Sequence, residues 1–147
     1  MMKIISLIPI KRNGYDCSVQ AISRLLNISY RQCYEELLKE NRSVYKKAGY
    51  RRLPRDISKR GVASKAVKIY YQRKGLEYRF ISGKTIQSKE IPKNCIVDFR
   101  TIKRSSGHVA CLKDNKWFDS IGCFEKYHNI PLVGYYSKKE LKGGTIV

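Results

Sequence analysis

Val19, Ile22, Leu25 and Leu26 recur at the spacing that puts side chains on one face of a helix. Asp16, a good cap residue, stands just before them, so the pattern predicts a first helix that starts at Cys17 and stops near Asn27. Ser29, Tyr30, Arg31 and Gln32 form a capping-box pattern, in which serine and glutamine satisfy each other's backbone donors, and a second helix is expected from there to about residue 40. The Lys/Arg/Gly/Pro-rich stretch 41–55 reads as a loop, 55–59 as a short helix ending at Gly61, and 64–74 as a third helix closed by Gly75. After Gly75 the pattern changes to short β-type runs at 76–81, 95–99, 108–113, 116–120 and 132–136.

Helices first and strands afterwards predict an α+β fold with a mostly antiparallel sheet, not a βαβ-wound one. No repeat, low-complexity tract or Gly/Ser linker interrupts the chain, and 147 residues that are 42% hydrophobic suit one domain, 1–147, with a real core. The apolar stretch 4–10 contains Ser6 and Pro9 and is too short for a signal-peptide centre or a bilayer span. The expectation is a soluble, cytoplasmic protein without a membrane span.

The five cysteines, Cys17, Cys33, Cys95, Cys111 and Cys123, are odd in number and include no C-x-x-C pair, and His108 and His128 lie far apart. That is neither a disulfide framework nor a zinc spacing, so reduced thiols, no metal and no cofactor are expected. Charge changes the picture more. The chain carries 31 Lys+Arg against 12 Asp+Glu, a net +19, and the region that opens at Arg42 and closes at Arg104 holds 19 basic and 4 acidic residues, or +15 of that excess. Such a field draws anionic partners: phosphate backbones, acidic membrane surfaces or acidic proteins. A solvated basic surface that only keeps the protein soluble is the plainer alternative. Tyr45, Tyr50, Tyr70, Tyr71 and Tyr78 interleave with these cations and could stack on bases of a single strand, although tyrosines at helical spacing are more often core.

A thiol at the positive end of a helix is favoured as thiolate, and Cys17 stands where the first helix begins. A lone cysteine there is also an ordinary small core residue, so the position needs a partner. Asp114-Asn115 is turn chemistry between two strand-like runs, which makes 108–120 a hairpin. If the loop is those two residues, Lys113 pairs with Lys116, Leu112 with Trp117 and Ala110 with Asp119. His108 and Asp119 then share a face, diagonally about 7 Å apart. A carboxylate there would orient the imidazole of His108, leaving its other nitrogen to take a proton from a thiol. A three-residue loop would move Asp119 to the face of Cys111. The remaining cysteines read as structural: Cys33 staples a helix start against Ile28, Cys95 and Cys111 lie in apolar runs, and Cys123 follows a glycine. His128 reads as a loop residue.

Residues 13–22, with Asp16-Cys17-Ser18 at their centre, followed by Ile28-Ser29-Tyr30, resemble the nucleophile helix of papain-like cysteine peptidases, above all small phage-encoded and bacteriocin-processing members. Residues 107–120, from Gly107-His108-Val109-Ala110 to Asp119-Ser120, resemble their histidine hairpin, in the same order of cysteine, histidine and acid. The resemblance implies a papain-like domain whose Cys17 helix packs on an antiparallel sheet carrying His108 and Asp119, with a protein or peptide substrate and no cofactor. The family usually places a glutamine five or six residues before the cysteine to donate to the oxyanion, where this chain has Arg12 and Lys11. Asn13 is the nearest amide that could serve, beside the backbone N–H of Cys17. A phage-encoded member would work in the host cytoplasm or the virion. The rival expectation is a basic nucleic-acid-binding or virion-associated protein on a peptidase-like fold without turnover.

Overall fold

A computed structural model describes residues 3–6, 16–57, 62–81, 83–99, 108–114, 116–119 and 130–139, with the backbone alone for 3–6 and 119. Helix α1 (Cys17–Leu26) ends at Asn27, which adopts the left-handed conformation (φ 55°) that asparagine tolerates better than most residues. The start of α1 differs from the expected cap. Asp16 accepts backbone bonds from Val19 N and Gln20 N, at 3.0 and 3.1 Å, but its side chain caps nothing. With ψ at 18° instead of extended, the carboxylate turns inward, where Oδ2 accepts from Gln20 Nε2 at 3.0 Å and Tyr30 Oη at 2.8 Å.

Helix α2 (Tyr30–Lys47) is capped as expected, with Ser29 Oγ accepting from Gln32 N at 3.1 Å. It corrects the expected loop by running past residue 40, because tertiary partners hold its polar second half. Asn41 is buried, and its Oδ1 accepts from Ala63 N at 3.0 Å at the start of α3 (Ser64–Arg73). Arg42 Nη1 donates to Pro54 O at 2.8 Å. The chain between α2 and α3 bends at 55–57 and is not helical there; Ile57 drops into the core instead, and 58–61 of the expected short helix lie outside the described residues. Asn41→Ala should leave the Ala63 N–H without its acceptor and lower the free energy of unfolding in urea by about 1 kcal/mol or more. An unchanged urea midpoint would show that this tie between α2 and α3 carries no weight.

The strands are β1 (Lys3–Ser6), β2 (Leu76–Phe80), β3 (Cys95–Phe99), β4 (His108–Lys113), β5 (Lys116–Asp119) and β6 (Leu132–Lys138). They form one sheet in the order β1-β5-β4-β3-β6-β2, antiparallel except where β1 runs parallel to β5. Strand alternation divides the core in two. On one face, Ile96, Val109, Cys111 and Tyr136 pack under α1, α2 and α3 through Val19, Ile22, Leu37 and Tyr71. On the other, Val97, Phe99, Ala110, Leu112, Trp117 and Leu132 pack beneath Ile86 of the β2–β3 connection. The architecture is therefore α+β, with three helices on one face of the sheet. No helix among the described residues is long and apolar enough to cross a membrane.

Candidate active site

Cys17 is the first residue of α1 and is half-buried, whereas Cys33, Cys95 and Cys111 are buried. No acidic residue lies in the first turn of α1, so nothing within the helix offsets its positive end. The Asp16 carboxylate immediately before it is fully buried, and its Oδ1 has no hydrogen-bond partner among the described residues. Beside Cys17, the Tyr71 hydroxyl donates to Ser18 O at 2.7 Å. Burial first, then the neighbouring Cys17, raise the Tyr71 phenol well above its ordinary range, so it stays a neutral donor.

Helix α1 packs mainly on β4. Its last turn meets the far end of that strand: Lys113 Nζ donates to Arg24 O at 2.9 Å, and the Arg24 guanidinium lies 4.8 Å from the Phe118 ring centroid. Cys17 stands at the opposite end of α1 from Arg24, next to the turn that Tyr71 holds, and β4 begins with His108. The imidazole is buried and paired with Phe99, their rings stacked at 6.0 Å. Phe99 belongs to the core on the side of the sheet away from the helices. Cys17 packs against the core on the helix side and His108 stacks on Phe99 on the other, so their side chains start from opposite faces of the sheet.

The β4–β5 hairpin has the expected register, Lys113 with Lys116 and Leu112 with Trp117, and Cys111 pairs with Phe118 between them and Asp119. One step further sets position 119 opposite Ala110, the diagonal position from His108. The Asp119 side chain lies outside the described residues, as do Asn13, Lys11, Arg12, Cys123 and His128.

One acid near His108 has no counterpart among the residues that the motifs single out. Asp98 pairs with Val109, the residue after His108, and accepts from Tyr78 Oη at 3.0 Å. Burial raises its carboxyl above the usual range, opposed by the Tyr78 hydrogen bond and by the charge of His108. The Tyr78 ring reaches it by lying where a β-carbon on residue 134 would stand, which only Gly134 permits. The available signal was an acid inside the apolar run Cys-Ile-Val-Asp-Phe. Base stacking is overturned for two of the tyrosines, since Tyr70 and Tyr71 are buried and Tyr70 donates to Glu36 Oε1 at 2.7 Å. Among the described residues no group of three or more His, Cys, Asp or Glu could hold a metal ion. No protein-family model matches the chain, and no curated protein and no solved structure matches it.

Proposed function

We propose that this chain is a thiol-dependent amide hydrolase, most simply a cysteine peptidase of papain-like type acting on a protein or peptide. The observation that supports it is the placement of Cys17 at the positive end of a helix that packs mainly on β4, the strand that opens with His108. In this reading His108 takes the thiol proton, and the Cys17 sulfur bonds to the substrate carbonyl carbon. The backbone N–H of Cys17 and the Asn13 amide donate to the oxyanion. His108 then protonates the leaving amine, and water cleaves the thioester to release the acid and restore the thiol. Asp119 orients the imidazole. Deamidation or acyl transfer would use the same residues.

A peptidyl acyloxymethyl ketone, which alkylates only a thiolate poised to attack a carbonyl, tests the reading. Intact mass and peptide mapping should place one adduct on Cys17, lost in His108→Ala and slowed in Asp119→Asn. Asp98→Asn controls for the second acid. Adducts spread over several cysteines, or none at all, would sink the proposal.

The position of His108 on the Phe99 face, away from the helices, favours a second reading: a basic nucleic-acid-binding or virion-associated protein that keeps the fold without turnover, with region 42–104 as its contact surface. A chain that ignores the ketone but binds oligonucleotides, with affinity falling by orders of magnitude between about 50 and 200 mM salt, would decide for it.

A further inference from the structure

We infer that the segment after α2 is a docking platform for single-stranded nucleic acid, on which Tyr50 stacks against a base while Lys46, Lys47, Arg51, Arg52 and Arg55 hold phosphates. The inference rests on reading the basic region as a nucleic-acid surface and is independent of any chemistry at Cys17.

The platform is built by the way α2 ends. Gly49 adopts φ +90°, Gly49 N donates to Lys46 O at 3.0 Å and Tyr50 N to Tyr45 O at 3.1 Å. This pair of bonds closes a helix with a Schellman turn, whose usual companion is an apolar contact between the two residues that Tyr45 and Tyr50 occupy. Their ring centroids are 5.0 Å apart. The turn holds the Tyr50 ring in place without covering it: the side chain remains 60% exposed. A large aromatic ring fixed at a surface and left open on one side is what base stacking needs.

The cations beside it stand on an anchored segment. Arg42 bonds Pro54 O, Tyr34 Oη donates to Asp56 Oδ1 at 2.6 Å, and Ile57 is fully buried, so 50–57 is tied to α2 and the core. Lys46, Lys47, Arg51, Arg52 and Arg55 are at the surface, and none forms an ion pair among the described residues. Asp56, which binds Tyr34, is the sole acid between positions 42 and 57. Lys46 and Lys47 also offset the negative end of α2, which would otherwise repel phosphate.

The mixture of groups selects the partner. Arginine forks match phosphate oxygens, and an open ring matches an unstacked base. A duplex keeps its bases stacked, and an acidic peptide offers carboxylates without planar faces to cover the ring.

Fluorescence anisotropy with the full chain and a labelled oligothymidylate of about 20 nucleotides, a length that spans at least one single-strand site, tests the platform. Tyr50→Ala should weaken this binding about tenfold, Tyr50→Phe should retain it, and a duplex of equal length should respond to neither. Arg51, Arg52 and Arg55 changed together to Ala should lower the slope of log affinity against log salt by about 2, at about 0.7 for each phosphate left without its cation. All these side chains are exposed, so thermal unfolding of the variants should match that of the parent. Binding that both sets of variants leave unchanged overturns the platform while keeping a basic surface elsewhere. Weaker binding by the arginine variant but not by Tyr50→Ala, shared equally by the duplex, overturns single-strand stacking. No binding even at about 50 mM salt overturns the platform and the nucleic-acid reading together.

Discussion

Limiting iodoacetamide at pH 6 will modify Cys17 and leave Cys33, Cys95 and Cys111 almost untouched. Thiolate is the reacting form, and burial sets how much of it the three buried thiols present. Burial raises Cys33 and Cys95, and it raises Cys111 to about 12 despite the opposing charges of Lys113 and Arg24. A thiol of that kind is ionised in about one molecule in a million at pH 6. Access reinforces the difference, because Cys17 alone of the four is partly open to solvent. It is also the first residue of α1, and the positive end of a helix favours an anion. In the proposed hydrolase the His108 imidazolium adds to that field. His108→Ala should therefore slow labelling of Cys17 about tenfold, the factor that about 1.4 kcal/mol produces. Equal labelling of Cys17 and Cys111, or a Cys17 rate indifferent to His108→Ala, would remove the thiol chemistry from this protein.

Tyr71→Ala is expected to reduce stability by about 3–5 kcal/mol, the range for deleting a fully buried aromatic side chain. Tyr71 comes from α3, has no solvent exposure, meets the Tyr136 ring of β6 edge-on at 4.8 Å, and donates to Ser18 in the first turn of α1. One side chain thus joins a helix, the sheet and the turn that carries Cys17. Against a total of about 5–15 kcal/mol for a small domain, such a loss moves the urea midpoint far. Tyr71→Phe keeps the packing and removes only the hydrogen bond, so it should cost about 1 kcal/mol. Because that bond ends on the residue after Cys17, the same variant should also change the Cys17 alkylation rate. A Tyr71→Ala protein within about 1 kcal/mol of the parent would mean that α1, α3 and β6 are not packed as described.

Where the code is local, the chain alone predicted the structure. Ser29 caps α2, Asn27 and Gly75 take the positive φ that stops a helix or turns the chain, and the hairpin closes with Lys113 against Lys116. These features depend on residues within a few positions of one another, and no distant partner displaces them here. The register that sets Asp119 diagonal to His108 belongs to this group, because it follows from the length of one turn.

Other features were settled by residues far apart in sequence. A polar stretch that reads as loop became the second half of α2, because Asn41 binds Ala63, 22 positions away, and Arg42 binds Pro54. Asp16 left its capping role because Tyr30, 14 positions on, offered its hydroxyl inside the core. β1 forms by pairing in parallel with β5, across almost the whole chain, and β6 inserts between β3 and β2. Composition and local pattern determined the α+β class, the first helix that begins at Cys17, and the strand that begins at His108. Only the tertiary structure decided that α1 packs mainly on β4 and that His108 stacks on Phe99 across the sheet from the helices. A strand's period tells which residues share a face, but which face a helix will cover depends on where the rest of the chain finds its apolar partners.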